Sequence, residues 1–306
     1  MEKIIESIKF SIVIPTYNRA DFIKSTVISV LQQDYANFEL IIVDDGSTDN
    51  TEDIISSIHD ERLQYYKKIN EERGVARNYG FKKAKGDYVL FFDSDDLMHT
   101  NHLSTLYEAI VKFNNEVNFI ASKYDLITNN KHKHSSVYPI KEGWYDINLF
   151  LKGSLIGCII CVKKNNPNLK LFLEDRRFTI GEDWIFLLQN LQNDNIYIID
   201  KVTISVNDHE NRTMRSNNSI IISKNQLVLE WLLQNIKLTN IQQNILTTNS
   251  YYFCAIHSYI DNNRRNAMRY LKKILPLKGF GKKEIILLVK VLIGYRIMSK
   301  VFAWFQ

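Results

Sequence analysis

Apolar and polar positions along the first hundred residues alternate between two periods. Phe10 to Pro15 is a short, mostly apolar strand stopped by Pro15. Asp21 to Gln33 carries Phe22, Ile23, Val27, Val30 and Leu31 at helical spacing. Phe38 to Val43 is a second apolar run, which enters the turn Asp44-Asp45-Gly46-Ser47 and then a capped helix from Thr51 to Ile58. Leu63 to Lys67 reads as a third strand and Gly74 to Ala84 as a helix. Tyr88 to Phe92 is a fourth strand that runs straight into Asp93-Ser94-Asp95-Asp96. Repeated strand–helix units predict an α/β fold with a mostly parallel twisted sheet and helices on both faces. Such sheets bind ligands at the carboxyl ends of their strands. Three polar clusters fall at such ends: Thr16 to Arg19, Asp44-Asp45, and Asp93 to Asp96. From Asn101 to Ser219 the pattern is mixed. A helix near His102 to Phe113 is followed by strands at Phe119 to Ile127, Leu155 to Val162 and Ile196 to Val206. Phe178 to Gln192 reads as a loop entering a helix, and the chain from Ile220 onward reads as helical.

The chain has 306 residues, 45% of them apolar and 24% charged, which excludes a disordered, collagen-like or disulfide-scaffold protein. Cys158 and Cys161 have redox-motif spacing, but they lie in an apolar run. On a strand, positions i and i+3 face opposite ways, so both are expected as core cysteines. The first ten residues interleave acids with apolar residues, and no apolar run reaches the roughly 18 residues that span a bilayer. A cytoplasmic protein is therefore expected. The net charge of +5 is unevenly spread. Asp261 to Gln306 holds eleven Lys and Arg against two acids, which leaves the rest of the chain slightly acidic. In Lys282 to Gln306, residues Lys283, Lys290, Arg296 and Lys300 share an arc of about 140° on a helical wheel. The remainder is mostly apolar and ends in Phe302, Trp304 and Phe305. Such a basic amphipathic helix suits peripheral attachment to an anionic membrane, at the inner face of the plasma membrane, or packing onto the domain. No nucleic-acid module is recognisable, so nucleic acid is not an expected partner.

The densest chemistry lies in Asp93-Ser94-Asp95-Asp96. Carboxylates this close repel one another, and a hard divalent cation relieves the repulsion. The same residues would also serve as an acidic turn capping the next helix. Asp44-Asp45 is either a turn with a cap or an acceptor for a base or ribose. Tyr17 either stacks on a base or packs. Arg77 either pairs with the acidic cluster or a diphosphate, or is a solvated helix arginine. Glu182 and Asp183 stand at a helix start, where the dipole favours acids, and they also suit a general base for a hydroxyl nucleophile. His209, in a polar loop with Arg212 and Arg215, suits a metal ligand beside phosphate-binding cations. His132 and His134, flanked by lysines, read as a solvated loop.

Five segments carry a resemblance: SIVIPTYNRADFI from Ser11, FELIIVDDGSTDNT from Phe38, GVARNYGFKKAKGDYVLFFDSDD from Gly74, GEDWIF from Gly181 and HENRT from His209. Together they resemble the family 2 glycosyltransferases of the GT-A type, most strongly over residues 8 to 100. The resemblance implies an inverting enzyme that moves one sugar from a nucleoside-diphosphate donor, with uridine the preferred base, to a hydroxyl of a glycan or lipid-linked acceptor in cell-surface polysaccharide synthesis. It implies that Pro15, Thr16, Tyr17, Arg19, Asp45, Arg77, Asp93 and Asp96 hold the donor. Asp95 and His209 would hold Mn²⁺ or Mg²⁺, as in a DXD motif. Asp183 would be the base, with Glu182 beside it. It also implies a nucleotide-sugar-binding half over 1–100 and an acceptor-binding half over 101–220; the helical C-terminal region over 221–306, with its basic amphipathic tail, comes from the residue pattern, since the resemblance carries little there. D-S-D-D stands where D-A-D-D is usual, one small residue for another. The Q-x-x-R-W string of processive synthases is missing, which favours single addition. A non-catalytic nucleotide-sugar or glycan-binding module on the same fold is the alternative. A nucleotidyltransferase would need a Gly-rich loop after the first strand, and a dehydrogenase would need G-x-G-x-x-G; neither string occurs.

Overall fold

The computed structural model describes residues 7–128, 131–209 and 217–295. The chain divides into two compact units, one formed by Met1–Ile147 with Ser154–His209 and the other by Asn148–Gly153 with Glu210–Gln306.

The first unit is built on a ten-stranded mixed sheet in the order β3-β2-β1-β4-β9-β6-β10-β5, with β7 paired to β6 and β8 to β10. The strands are β1 (Phe10–Thr16), β2 (Phe38–Asp44), β3 (Leu63–Lys67), β4 (Tyr88–Phe91), β5 (Leu97–Met98), β6 (Phe119–Thr128), β7 (Lys131–His134), β8 (Gly143–Tyr145), β9 (Ile160–Lys163) and β10 (Ile196–Asn207). Its helices are α1 (Ile23–Leu31), α2 (Thr51–Ser56), α3 (Arg73–Lys83), α4 (His102–Lys112) and α6 (Glu182–Asn190), and the short α5 (Ile147–Phe150) starts at its last residue before Asn148–Gly153 of the second unit. Strands β3, β2, β1 and β4 run parallel, β9 runs against β4 and β6, and β10 is parallel to β6. Every residue of β1 and β2 is buried, as strands covered on both sheet faces are, and the polar Ser11 and Glu39 among them hydrogen-bond to each other at 2.6 Å. One face packs Phe10, Ile12, Ile14, Leu40, Ile42 and Leu90 against Val27 and Val30 of α1 and Leu103, Leu106 and Ile110 of α4.

Register places the polar clusters on one edge. Thr16 pairs with Asp44, so β1 and β2 end level. Phe91 pairs with Val13, and Phe92 N–H donates to the Val13 carbonyl at 3.0 Å. Asp93 therefore leaves the sheet beside the ends of β1 and β2.

Several expectations are corrected. The strand predicted over Leu155 to Val162 begins at Ile160, because Gly157 takes a left-handed φ of +55° that interrupts an extended run. Cys158 thus precedes the strand, although both thiols are buried and free. His132 and His134 lie in strand β7, not in a loop, and His132 pairs with Asp125. Asp95 and Asp96 cap no helix, since β5 intervenes and Asn101 stands at the N-cap of α4.

The second unit holds α7 (Asn218–Asn235), α8 (Asn240–Ile260), α9 (Arg264–Lys278) and α10 (Lys282–Ile293). Asn217 caps α7, Thr239 and Gln242 form a capping box on α8, and Asn263 caps α9. Cys254, Ala255, Tyr270, Leu271, Ile274, Leu287 and Val291 form its core. Among the described residues no helix is long and apolar enough to cross a membrane. Arg212 and Arg215, and Arg296, Lys300, Phe302, Trp304 and Phe305 of the predicted basic tail, lie outside the described residues.

Candidate active site

The carboxyl end of β1 turns through Asn18, whose φ of +49° suits asparagine in the left-handed region. Ser47 accepts from Asn18 N–H at 2.9 Å, and Asn18 Oδ1 accepts from Thr48 N–H at 2.9 Å. These bonds lock the loop after β1 to the loop after β2. Pro15 and Thr16 are buried within β1, and Thr16 Oγ1 has no hydrogen-bond partner among the described residues. Tyr17 is 45% exposed at the strand's end. Asp44 behaves as the turn residue, accepting from Ser47 N–H at 2.7 Å and Tyr65 Oη at 2.7 Å. Asp45 is also buried and accepts from Lys68 Nζ at 2.7 Å and Glu71 N–H at 3.0 Å.

Asp95 Oδ2 lies 3.0 Å from His209 Nε2 and 3.5 Å from Arg19 Nε. The His209 ring stacks on Phe22 with centroids 4.5 Å apart, and its other nitrogen, Nδ1, is buried without a hydrogen-bond partner among the described residues. The three groups come from the loops after β1, β4 and β10. Asp96 is buried and accepts from Asn207 N–H at 3.0 Å, which anchors the acidic loop to the end of β10. Among the described residues, no group of three or more His, Cys, Asp or Glu has a metal-holding arrangement. Asp95 and His209 nevertheless fit a cation that completes its shell with diphosphate oxygens, because Mg²⁺-type sites commonly use one or two protein carboxylates plus substrate phosphates.

Arg77 is 1% exposed, so it is not a solvated helix arginine. Its guanidinium reaches Asp93 Oδ1 at 2.7 Å and Glu182 Oε1 at 3.2 Å, and lies 5.1 Å from the centre of the Phe172 ring. Arg73, one turn earlier on α3, pairs with the same Glu182 and donates to the Thr179 carbonyl at 2.6 Å. Burial pushes the Glu182 carboxyl above the usual range, opposed by Arg73 and Arg77. Burial likewise pushes the Cys158 thiol well up, opposed by Arg77, so Cys158 is an inert wall of this cluster. Glycine makes the approach feasible: a Cβ on Gly74 would stand 2.8 Å from the Leu173 carbonyl oxygen.

Gly181, with φ of +96°, turns the chain into α6 and puts Glu182 and Asp183 in its first turn. Glu182 points into the arginine pair. Asp183 is partly exposed, accepts from Ser154 Oγ at 2.9 Å through Oδ2 and from Trp184 N–H at 2.8 Å through Oδ1. Arg73 and Cys158 both lie within electrostatic reach of Asp93 and Asp183. The acidic loop after β4 and the start of α6 therefore share one charged neighbourhood. Arg73, Ser154, Lys68 and Phe22 were not among the residues expected here. Arg73 was legible as the i−4 neighbour of Arg77 on a helix face, whereas nothing local marked Ser154, 29 positions from its partner.

Residues 11–164 match the family described as Glycosyl transferase family 2. A Rickettsia felis protein described as an uncharacterized glycosyltransferase is 34% identical over 206 residues, 65% of this chain and 33% of that protein. The UDP-Glc:alpha-D-GlcNAc-diphosphoundecaprenol beta-1,3-glucosyltransferase of Escherichia coli is 34% identical over 196 residues, 62% of this chain and 72% of that protein. This chain spans a third or less of the length of the first three curated relatives it matches. S. aureus TarS 1–349, solved in complex with UDP-GlcNAc, superposes with a TM-score of 0.69 at 20% identity, covering 88% of this chain and 81% of that one. At that identity the likeness establishes the GT-A fold alone.

Proposed function

The chain belongs to glycosyltransferase family 2, and from that premise we propose that it moves one sugar, with inversion, from a UDP-sugar to a hydroxyl of a lipid-linked glycan in cell-surface polysaccharide synthesis. The observation that carries this reading is the buried Arg77, which joins Asp93 to Glu182 and so fixes Asp183 beside the acidic loop. The Escherichia coli relative, by its name, takes UDP-Glc and a diphosphoundecaprenol-linked sugar, which supports both substrate classes.

In this reading the nucleoside lies along the ends of β1 and β2. Tyr17 offers an exposed ring, Thr16 an unpartnered hydroxyl and Asp45 a buried carboxylate held by Lys68, with Pro15 shaping the strand end. Arg19, Asp93 and Asp96 border the diphosphate and sugar, and Arg77 holds Asp93 in place from behind. Mn²⁺ or Mg²⁺ held by Asp95 and His209 would supply Lewis-acid neutralisation of the leaving diphosphate. Asp183 takes the proton from the acceptor hydroxyl as that oxygen attacks the anomeric carbon opposite the departing diphosphate. Ser154 and the Trp184 amide orient the carboxylate for that step. Glu182, spent on two guanidiniums, positions α6 rather than taking the proton. A peripheral place at the inner face of the plasma membrane would bring the enzyme to a lipid-linked acceptor.

Asp183→Asn tests the assignment. Sugar transfer from radiolabelled UDP-glucose or UDP-N-acetylglucosamine is expected to fall by about 10³-fold or more, with UDP affinity within twofold of wild type. Undiminished transfer would contradict the base assignment, and lost UDP affinity would move Asp183 into the donor site.

A further inference from the structure

The apolar residues of α10 lie on two opposite faces. Leu287 and Val291 are buried among Cys254, Ala255, Tyr270, Leu271 and Ile274. On a helical wheel the opposite arc holds, in order around the helix, Leu292, Ile285, Val289, Ile293 and Ile286. All five are exposed, from 39% for Ile293 to 63% for Leu292. A helix that merely covers a bundle turns a polar face outward. This one turns branched aliphatics outward.

The charges around that arc have one sign. Lys282 lies within it, and Lys290 and Lys283 stand along one border. The one acid of α10, Glu284, faces the other way. It is fully buried, accepts from Gly281 N–H at 3.0 Å, and pairs with Lys278 at 3.0 Å and Lys283 at 3.8 Å. The outward face is therefore apolar, edged by lysine and free of carboxylate among the described residues of the helix. On α9, Arg265, Arg269 and Lys272 are exposed on the side away from Ala267, Leu271 and Ile274. A second copy of the chain docked on this face would bring like charges together. An anionic bilayer complements it, with aliphatic side chains at the acyl boundary and ammonium groups at the phosphates.

We propose that the exposed face of α10 lies in the plane of an anionic membrane surface, with Ile285, Val289 and Leu292 inserted between headgroups. Attachment of this kind needs neither donor nor acceptor, so it stands or falls separately from the transfer reaction. The test is sedimentation of the full chain with vesicles of phosphatidylcholine, with and without phosphatidylglycerol. Wild type pellets with the anionic vesicles and is released by raised salt. Val289→Ser combined with Leu292→Ser, both at exposed positions, lowers the apparent affinity by about tenfold or more while circular dichroism is unchanged. Lys282→Glu combined with Lys290→Glu lowers it to a similar degree and removes the preference for anionic lipid. Undiminished pelleting of the Val289→Ser, Leu292→Ser variant would overturn the proposal. So would failure of wild type to bind anionic vesicles, and a dimer dissolved by the same variant in light scattering would then reassign the face to a second copy.

Discussion

Arg77 serves two carboxylates from a position without solvent, so removing its charge takes a buried counter-charge from Asp93 and from Glu182, which keeps its pair with Arg73. Arg77→Leu is expected to destabilise the protein by about 3–5 kcal/mol in chemical denaturation, and Arg77→Lys by less, because the charge remains but the fork does not. Ser154→Ala removes the hydroxyl that orients Asp183. It is expected to lower kcat several-fold while leaving UDP affinity unchanged, read from steady-state kinetics beside direct titration. His102 carries a pH signature of its own. Burial holds its imidazole down at about 3, with Nδ1 at 2.7 Å from Thr203 Oγ1. The unfolded chain takes up a proton near the ordinary histidine range while the folded one does not. Stability is therefore full above about pH 6.5 and falls toward pH 3, by about 1.4 kcal/mol per pH unit from this group. Denaturation at pH 7.5, 6 and 5 should show the decline, and His102→Gln should flatten it. The sequence left Arg77 with two roles open, because a helix arginine is usually solvated; the carboxylates that decide between them lie 16 and 105 residues away.

At the scale of elements, the two periods of hydrophobicity located β1, β2, β4, β6, β10, α1 to α4 and α6, because these bury one face or both, and located β3 although it is only partly buried. The short strands β5, β7 and β8 left no such trace. The two or three residues of β5 and β8 cannot carry a period, and all four positions of β7 are exposed. Gly157 cut β9 short for a backbone reason that an apolar count does not register. Gly181 is the corresponding control point of the site, since its positive φ starts α6 where Asp183 is needed. Gly181→Ala should cost about 1–2 kcal/mol in thermal or chemical unfolding and lower transfer by more than that stability loss explains.

At the scale of the molecule, the parallel edge formed by β1, β2 and β4 was legible because strand ends and polar clusters coincide in the sequence. Ser154 was not: it meets the first turn of α6, which the sequence did mark through Glu182 and Asp183, only by the path of β9 and the loop after it. The charge asymmetry was visible in composition. Which face of α10 is outward was not, since that depends on which of its apolar residues the other helices bury. The proposed donor site puts a nucleoside diphosphate at the edge of β1, β2 and β4, held through Asp95. Calorimetric titration of UDP, with and without Mn²⁺, on wild type and Asp95→Ala tests it most directly. Wild type is expected to bind tightly with Mn²⁺, and at least about tenfold more weakly when either the metal or the Asp95 carboxylate is removed. UDP binding that ignores both, or no binding by wild type under any of these conditions, would contradict it.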